Sequence, residues 1–424
     1  MKEEFGLTRR EFLKSSAITA AALSFSSFGV FTQSSADSIG PNDTINAAII
    51  GTGNQGCYLL ERAVKVPNVK WAMVCDITPK NLERGLSIAK GAEGCEDYRK
   101  VLDRKDIQAV VIATPILLHA PMTIEALRAG KHVLCEKMMA YTIEDAKKML
   151  RTARQTGRKL QIGHQRRYAP NYQHAWNLIQ DGVLGKITHV RAQWNRNASW
   201  RRPAKSKEED EFVNWRLYRK SSQGLMGELG SHQVDVVNWI VGQTPTAVTG
   251  IGGLDYWKDG RDVWDNIHVI FEYANGVKFQ YQSLTTNQHD GFTEQVMGDK
   301  GTMILSPDKC LMFREPQAEE LAWADAAHKA EVSGKEAIVL DASKSPRLKR
   351  NLEEGTKIES GDKAEAHKDD YFLELEDFFL SIRDGHEPKC SPRIALDTCV
   401  ASIKANEAMD NKTRIEITEA DYKV

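Results

Sequence analysis

The stretch Ala47-Ala48-Ile49-Ile50-Gly51-Thr52-Gly53-Asn54-Gln55-Gly56 decides the fold. Four small or apolar residues run into a glycine-rich turn, and a helix-patterned stretch follows. A strand, a tight turn and a helix start in this order form the cradle of a dinucleotide. Gly51 suits the turn, Gly53 lets a pyrophosphate approach the backbone, and Gly56 lets the helix pack close to the strand. Thr52, Asn54 and Gln55 complete the turn, whose helix-start N–H groups would face the phosphates. Trp71-Ala72-Met73-Val74-Cys75-Asp76 reads as the second strand. It ends in an acid about 20 residues after the loop, where the ribose hydroxyls of NAD are held. The alternative is a glycine turn of the same shape that binds nothing.

Outward from this stretch the chain alternates. Strands are expected at 46–50, 69–75, 109–113, 132–135 and 160–163, with helices at 55–66, 79–89, 122–129 and 143–156. Alternation of this kind gives an α/β Rossmann domain, a doubly wound parallel sheet with helices on both faces. Thr78 and Thr142 are expected N-caps. After Arg166 strands follow one another, at 187–193, 247–252, 266–272, 277–283, 294–297 and 302–305. Asn275-Gly276 is a hairpin signal between two of them. The second domain is therefore expected to be α+β, with a largely antiparallel open sheet. Residues 318–368, rich in Ala, Glu, Lys and Asp with little period, read as a surface excursion or partly ordered insertion. Helices at 370–383 and 394–409 are expected to pack back near the first domain. The expected division is 1–36 leader, 44–165 nucleotide-binding domain, 166–368 second domain and 369–410 C-terminal helices.

Bulk properties exclude more than they assign. A length of 424 residues suits two or three domains. The net charge of −1 points neither to nucleic acid nor to an anionic membrane. Seven cysteines without C-x-x-C spacing signal no metal site and no redox pair. The N-terminus is distinctive. Thr8-Arg9-Arg10-Glu11-Phe12-Leu13-Lys14 precedes a mildly apolar, serine-laced run. Paired arginines before such a run resemble a twin-arginine export signal, with Ser34-Ser35-Ala36 as the expected cleavage site. The expected location is the periplasm of a bacterium, reached through the twin-arginine translocon. That route exports folded proteins, so a dinucleotide could be loaded first. A disordered basic leader and an uncleaved anchor are the alternatives.

Three further stretches carry chemistry: Ala113-Thr114-Pro115, Gly130-Lys131-His132-Val133-Leu134-Cys135-Glu136-Lys137, and Gly224-Leu225-Met226-Gly227-Glu228-Leu229-Gly230-Ser231-His232-Gln233-Val234-Asp235. Together with the glycine loop they resemble the glucose–fructose oxidoreductase / inositol dehydrogenase / MocA family, over about residues 46–409 without the insertion. The resemblance implies an NAD-dependent oxidoreductase with Lys137 at the nicotinamide and His232 as general acid/base. An ammonium at that place stabilises the charge forming as hydride leaves carbon, and a histidine takes the hydroxyl proton near neutral pH. Glu228 stands where the family usually has aspartate, and Met138 where it has proline. If 228–239 is one helix, Glu228, His232 and Asp235 share a face, and Glu228 is the third expected catalytic residue, contacting substrate or orienting the imidazole. A surface lysine and a core or capping histidine are the structural alternatives, and Asp235 is more often a structural acid.

Thr114, Pro115, His119, Glu136 and Gln165 join the glycine loop and Asp76 as expected cofactor contacts. Arg166, Arg167, Tyr168, Trp200, Trp215 and Asp235 are the expected substrate contacts. Guanidinium groups offer several donors to sugar oxygens, and indole faces suit sugar C–H faces. Asp76 would repel a 2′-phosphate, which favours NAD over NADP. The leading reading is hydride transfer from a secondary hydroxyl of a sugar, glycoside or cyclitol. The alternatives are a glycosidase or lyase that retains tightly bound NAD through transient oxidation, and a non-catalytic sugar- or nucleotide-binding protein. The resemblance also implies a homo-oligomer.

Overall fold

Five of the six residues of the first strand, β1 (Ile45–Ile50), are buried, as expected for a central strand covered on both faces. The computed structural model describes Gly40 and residues 43–306, 310–324, 327–332, 334–340 and 369–424. The expected leader lies outside the described residues. After β1 come α1 (Asn54–Ala63), β2 (Val69–Cys75), α2 (Pro79–Ile88), β3 (Glu93–Cys95), α3 (Arg99–Asp103) and β4 (Ala109–Ile112). Then follow α4 (Ile116–Arg128), β5 (His132–Glu136), α5 (Ile143–Thr156) and β6 (Leu160–Gly163). The strands lie in the order β3-β2-β1-β4-β5-β6, and every neighbouring pair is parallel. The order reverses between β1 and β4, which opens a ligand crevice at their carboxyl ends.

Local chemistry explains most boundaries. Thr142 caps α5, its side chain accepting from Asp145 N at 3.1 Å, and Gly157 closes the helix in the left-handed region. Thr78 holds the cap position of α2 without a side-chain bond; the N–H of Asn81 donates to its backbone oxygen at 3.0 Å instead, and Asp76 Oδ1 accepts the Thr78 N–H at 2.8 Å. Helix α4 starts at Ile116 rather than at 122 and carries Pro121 inside it. A proline normally marks a helix start or break, which misplaced the expected boundary. β3 spans three residues, too few to show a period.

The second domain holds α6 (Pro170–Gln180), β7 (Ile187–Asn195), α7 (Lys207–Val213), α8 (Ser231–Val241), β8 (Pro245–Gly253), β9 (Asn266–Tyr273) and β10 (Lys278–Leu284). It continues with β11 (Phe292–Gly298), β12 (Gly301–Leu305), β13 (Cys310–Arg314), β14 (Lys329–Val332) and β15 (Lys335–Leu340). The sheet order is β14-β15-β13-β12-β11-β7-β10-β9-β8-β16, with β16 at Ile415–Glu416. β7 pairs parallel with β10, and the other ladders are antiparallel. Asn275 and Gly276 do join β9 to β10, with Gly276 at φ 91°. The stretch read as an excursion is a hairpin in part: β14 and β15 extend the sheet beyond β13. β15 has no clean alternation, since the adjacent Ala337 and Ile338 are both buried along with Leu340, so period 2 could not reveal it. Residues 341–368 lie outside the described residues.

The last helices, α9 (Asp370–Asp384) and α10 (Pro392–Asn411), precede a short α11 (Glu419–Tyr422). Leu375, Phe378 and Phe379 of α9 join a core cluster with Ile49, Leu59 and Trp71 of the first domain. Trp71 and Phe379 meet edge to face at 6.1 Å. Fully burying one such ring contributes about 2–3 kcal/mol. Helix α10 packs on α5 of the first domain and on α8 and β8 of the second. The C-terminal helices thus hold the two domains in register around the crevice.

Candidate active site

At the glycine turn the backbone leaves a concave cradle. Gly51 has φ 91°, and a Cβ there would lie 2.7 Å from Ala113 O. A Cβ on Gly56 would lie 1.8 Å from Gly51 O, whereas one on Gly53 would meet nothing within 4 Å. No side chain caps α1, so its first N–H groups are available to an anion. Asp76 closes the far side, its Oδ2 accepting from Thr52 N at 2.7 Å. The donors, the open space over Gly53 and the acid fit the pyrophosphate and one ribose of NAD.

The reacting end lies beyond β5. Gln55 Nε2 donates to Glu136 Oε1 at 2.7 Å, and Lys137 N to Glu136 Oε2 at 3.0 Å. Lys137 Nζ reaches across the crevice and donates to the backbone oxygen of Glu228 at 2.7 Å. Burial lowers the Lys137 pKa, while Glu228 and Glu136 pull it up. Glu228 in turn accepts from Arg216 Nε at 2.8 Å. Burial raises Glu228, but Arg216 and Lys137 outweigh it and hold the carboxyl below its ordinary value.

Residues Met226–Gly230 form a π-helical turn that runs into α8. The single regular helix expected over 228–239 is therefore corrected. A π turn carries one extra residue per turn, which changes the angle between Glu228 and the residues of α8. His232, in the first turn of α8, is 5% exposed. Its Nδ1 is buried without a partner. Its ring lies 5.3 Å from Trp194 and 6.2 Å from His164. Burial, then the charges of Lys137 and Arg166, push His232 well below the usual histidine range. The imidazole is therefore neutral near pH 7.

Several expected substrate contacts are engaged elsewhere. Asp235 takes a forked bond from Arg167, with Nε to Oδ2 at 2.8 Å and Nη2 to Oδ1 at 2.9 Å. Thr398 Oγ1 donates to the same carboxylate at 3.2 Å. Both charges are almost fully buried, so the pair is a structural clamp. Tyr168 is 1% exposed, and its hydroxyl accepts from Cys390 N at 3.3 Å. Arg166 is paired with Glu294, but its Nη2 remains buried and unpartnered. Trp200 and Trp215 are half-buried against the core, with the Arg216 guanidinium 4.4 Å from the Trp215 ring centroid.

His119 is also committed, Nδ1 lying 2.8 Å from Met138 O and Nε2 2.9 Å from Thr114 O. It ties the loops after β4 and β5 together rather than presenting a nitrogen to the crevice. Pro115 stands at the N-cap of α4, and Thr114 Oγ1 is buried and unpartnered. Gln165 donates to Tyr371 Oη at 3.0 Å, which brings α9 over the crevice.

Sequence reading missed Trp194, Arg196, His164 and Glu294 as parts of this site. Glu294 carried a signal. It stands at an inward position of β11, in phase with Val296, and both are 0% exposed. His164 has both ring nitrogens buried without partners, and burial pushes it down to about 4. Among the described residues no group of three or more His, Cys, Asp or Glu could hold a metal.

A Rossmann sheet with a glycine cradle, and an acid at the end of its second strand, define a dinucleotide-binding domain. Residues 45–164 match the oxidoreductase family with an NAD-binding Rossmann fold, and residues 172–304 match the GFO/IDH/MocA C-terminal domain. The chain belongs to the GFO/IDH/MocA family of oxidoreductases. It is 28% identical to the inositol 2-dehydrogenase of Rubrobacter xylanophilus over 274 residues, 63% of this chain and 73% of that one. It is 30% identical over 273 residues to the 2,7-anhydro-N-acetylneuraminate hydratase of Mediterraneibacter gnavus, 63% and 68% of the two chains. The fold is also that of levoglucosan dehydrogenase in complex with NADH and levoglucosan. There the TM-score is 0.70 at 20% identity, covering 88% of this chain and all of that one. The enzyme is an NAD-dependent oxidoreductase.

Proposed function

We propose that the enzyme oxidises a secondary hydroxyl of a sugar, glycoside or cyclitol, with Lys137 and His232 at the reacting carbon. One observation carries this reading: Lys137 Nζ is fixed on Glu228 O at 2.7 Å, on the turn that leads into His232, whose Nδ1 is buried without a partner among the described residues. NAD, when bound, accepts the hydride. The imidazole of His232 takes the proton from the substrate hydroxyl, and Lys137 Nζ donates to the oxygen as negative charge grows on it. Glu228 and Arg216 hold the turn that presents its carbonyl to Lys137. Glu136, bonded to Gln55, fixes the backbone of Lys137 from the cofactor side. The inositol 2-dehydrogenase relative supports a CH–OH substrate. NADH formation from a panel of inositols, glycosides and anhydrosugars tests it. No NADH from any member would sink it.

The hydratase relative supports a second reading, in which NAD is retained and hydride returns to the sugar. The paired Arg9-Arg10 supports export of a loaded, folded enzyme to the periplasm, where a closed cycle needs no free cofactor. A glycoside carrying deuterium at the oxidised carbon separates the two without added NAD. Many turnovers with label kept on sugar carbon support the closed cycle, and label collecting in free NADH supports the simple dehydrogenase. An exposed sheet face bearing Ile251 and Ile270 supports a homo-oligomer, which sedimentation would detect.

A further inference from the structure

Arg196 follows directly on β7, at the mouth of the crevice. Its guanidinium lies 5.0 Å from the Trp194 ring centroid and 5.6 Å from that of Trp200. Its Nε is buried without a partner. Among the described residues it makes no ion pair with a carboxylate, whereas its neighbours are all matched: Arg216 with Glu228, Arg166 with Glu294, Arg167 with Asp235. Burial and the nearby Arg216 both disfavour its charge. Arg196 and His232 flank the same indole, 5.0 Å and 5.3 Å from the Trp194 ring centroid, which places the guanidinium beside the proposed reacting centre.

Indole faces stabilise the cation but satisfy none of its N–H donors. A neutral ligand closing over this guanidinium would strip water from an unmatched charge, which is costly. An oxyanion would match both the charge and the planar fork of donors. The indoles on either side would meet the C–H face of a sugar ring. We propose that the substrate is an acidic sugar, one bearing a carboxylate or sulfate, and that Arg196 is the residue that recognises its anionic group. This rests on the sugar-oxidising reading above and narrows it. The anion would lie remote from the oxidised carbon, so it contributes to binding and placement and takes no part in hydride transfer.

The test is binding, kept separate from turnover. NAD-saturated enzyme is titrated with glucuronate, glucose 6-sulfate and glucose, followed by tryptophan fluorescence. At least one anionic sugar should bind about tenfold or more tighter than glucose, a typical gain for a charge-assisted fork. Arg196→Gln should erase that preference, bringing the ratio of anion to glucose affinity to about one. Arg196→Lys should restore part of it, and the exposed Arg202→Gln should preserve it. Which anion gains shows whether carboxylate or sulfate is the group read. The proposal is overturned if glucose binds as tightly as both anions, or if Arg196→Gln leaves the ratio as it was. Absence of NADH from every sugar would count against the oxidising function alone, because the binding ratio is read without turnover.

Discussion

Lys137 Nζ donates to the backbone oxygen of Glu228 at 2.7 Å, and this bond joins the end of a Rossmann strand to a π turn of the other domain. In the proposed reaction the lysine is thereby aimed before substrate arrives, with two N–H groups left for the reacting oxygen.

Removing it should act on turnover rather than on cofactor affinity. Lys137→Ala is expected to lower kcat about 10²–10³-fold, the usual loss for one oxyanion donor. NAD affinity, measured by fluorescence titration, should change little. Near-native turnover would remove the lysine from the mechanism.

The pH profile follows from the two shifts. His232 must be neutral to accept a proton, and burial places its pKa below the ordinary 6.5. The acid limb of kcat/KM should therefore fall below pH 6.5. Lys137 must be protonated to donate, and its pKa is lowered from 10.5, so the alkaline limb should begin below that value. His232→Asn should abolish the acid limb. An acid limb that survives this change belongs to another group.

Cofactor choice should turn on Asp76. Its carboxylate, held by Thr52 N and Thr78 N, would repel a 2′-phosphate. NAD should bind more tightly than NADP, and Asp76→Ser should narrow the gap. Tighter NADP binding by the native enzyme would contradict the geometry.

Asp235 should prove structural. Asp235→Ala leaves Arg167 buried and unpaired, which typically costs about 3–5 kcal/mol. Urea unfolding should show that loss. Unchanged stability with a raised KM would return Asp235 to the substrate.

The first domain was legible because its strands are short apolar runs bounded by glycine, and its turn carries its own chemistry. The second sheet was legible where alternation is clean, as in β9 and β10. Other features depend on partners distant in sequence. Nothing local to Arg167 announces Asp235, 68 residues away, and nothing in Glu228-to-Trp239 announces the extra residue of the π turn. Arg196 was hidden for the opposite reason. Its importance comes from lacking a carboxylate partner among the described residues, which only the fold reveals.

Helix α9 carries a consequence for how the protein is made. Leu375, Phe378 and Phe379 complete the apolar layer beside β1, yet they are synthesised more than three hundred residues after it. A nascent chain lacking them would leave Ile49, Leu59 and Trp71 uncovered. The apolar layer behind the nucleotide cradle is therefore completed only once α9 has been made. Cofactor loading would then report that α9 is in place, and chains truncated before it would be recognisable by their failure to retain NAD.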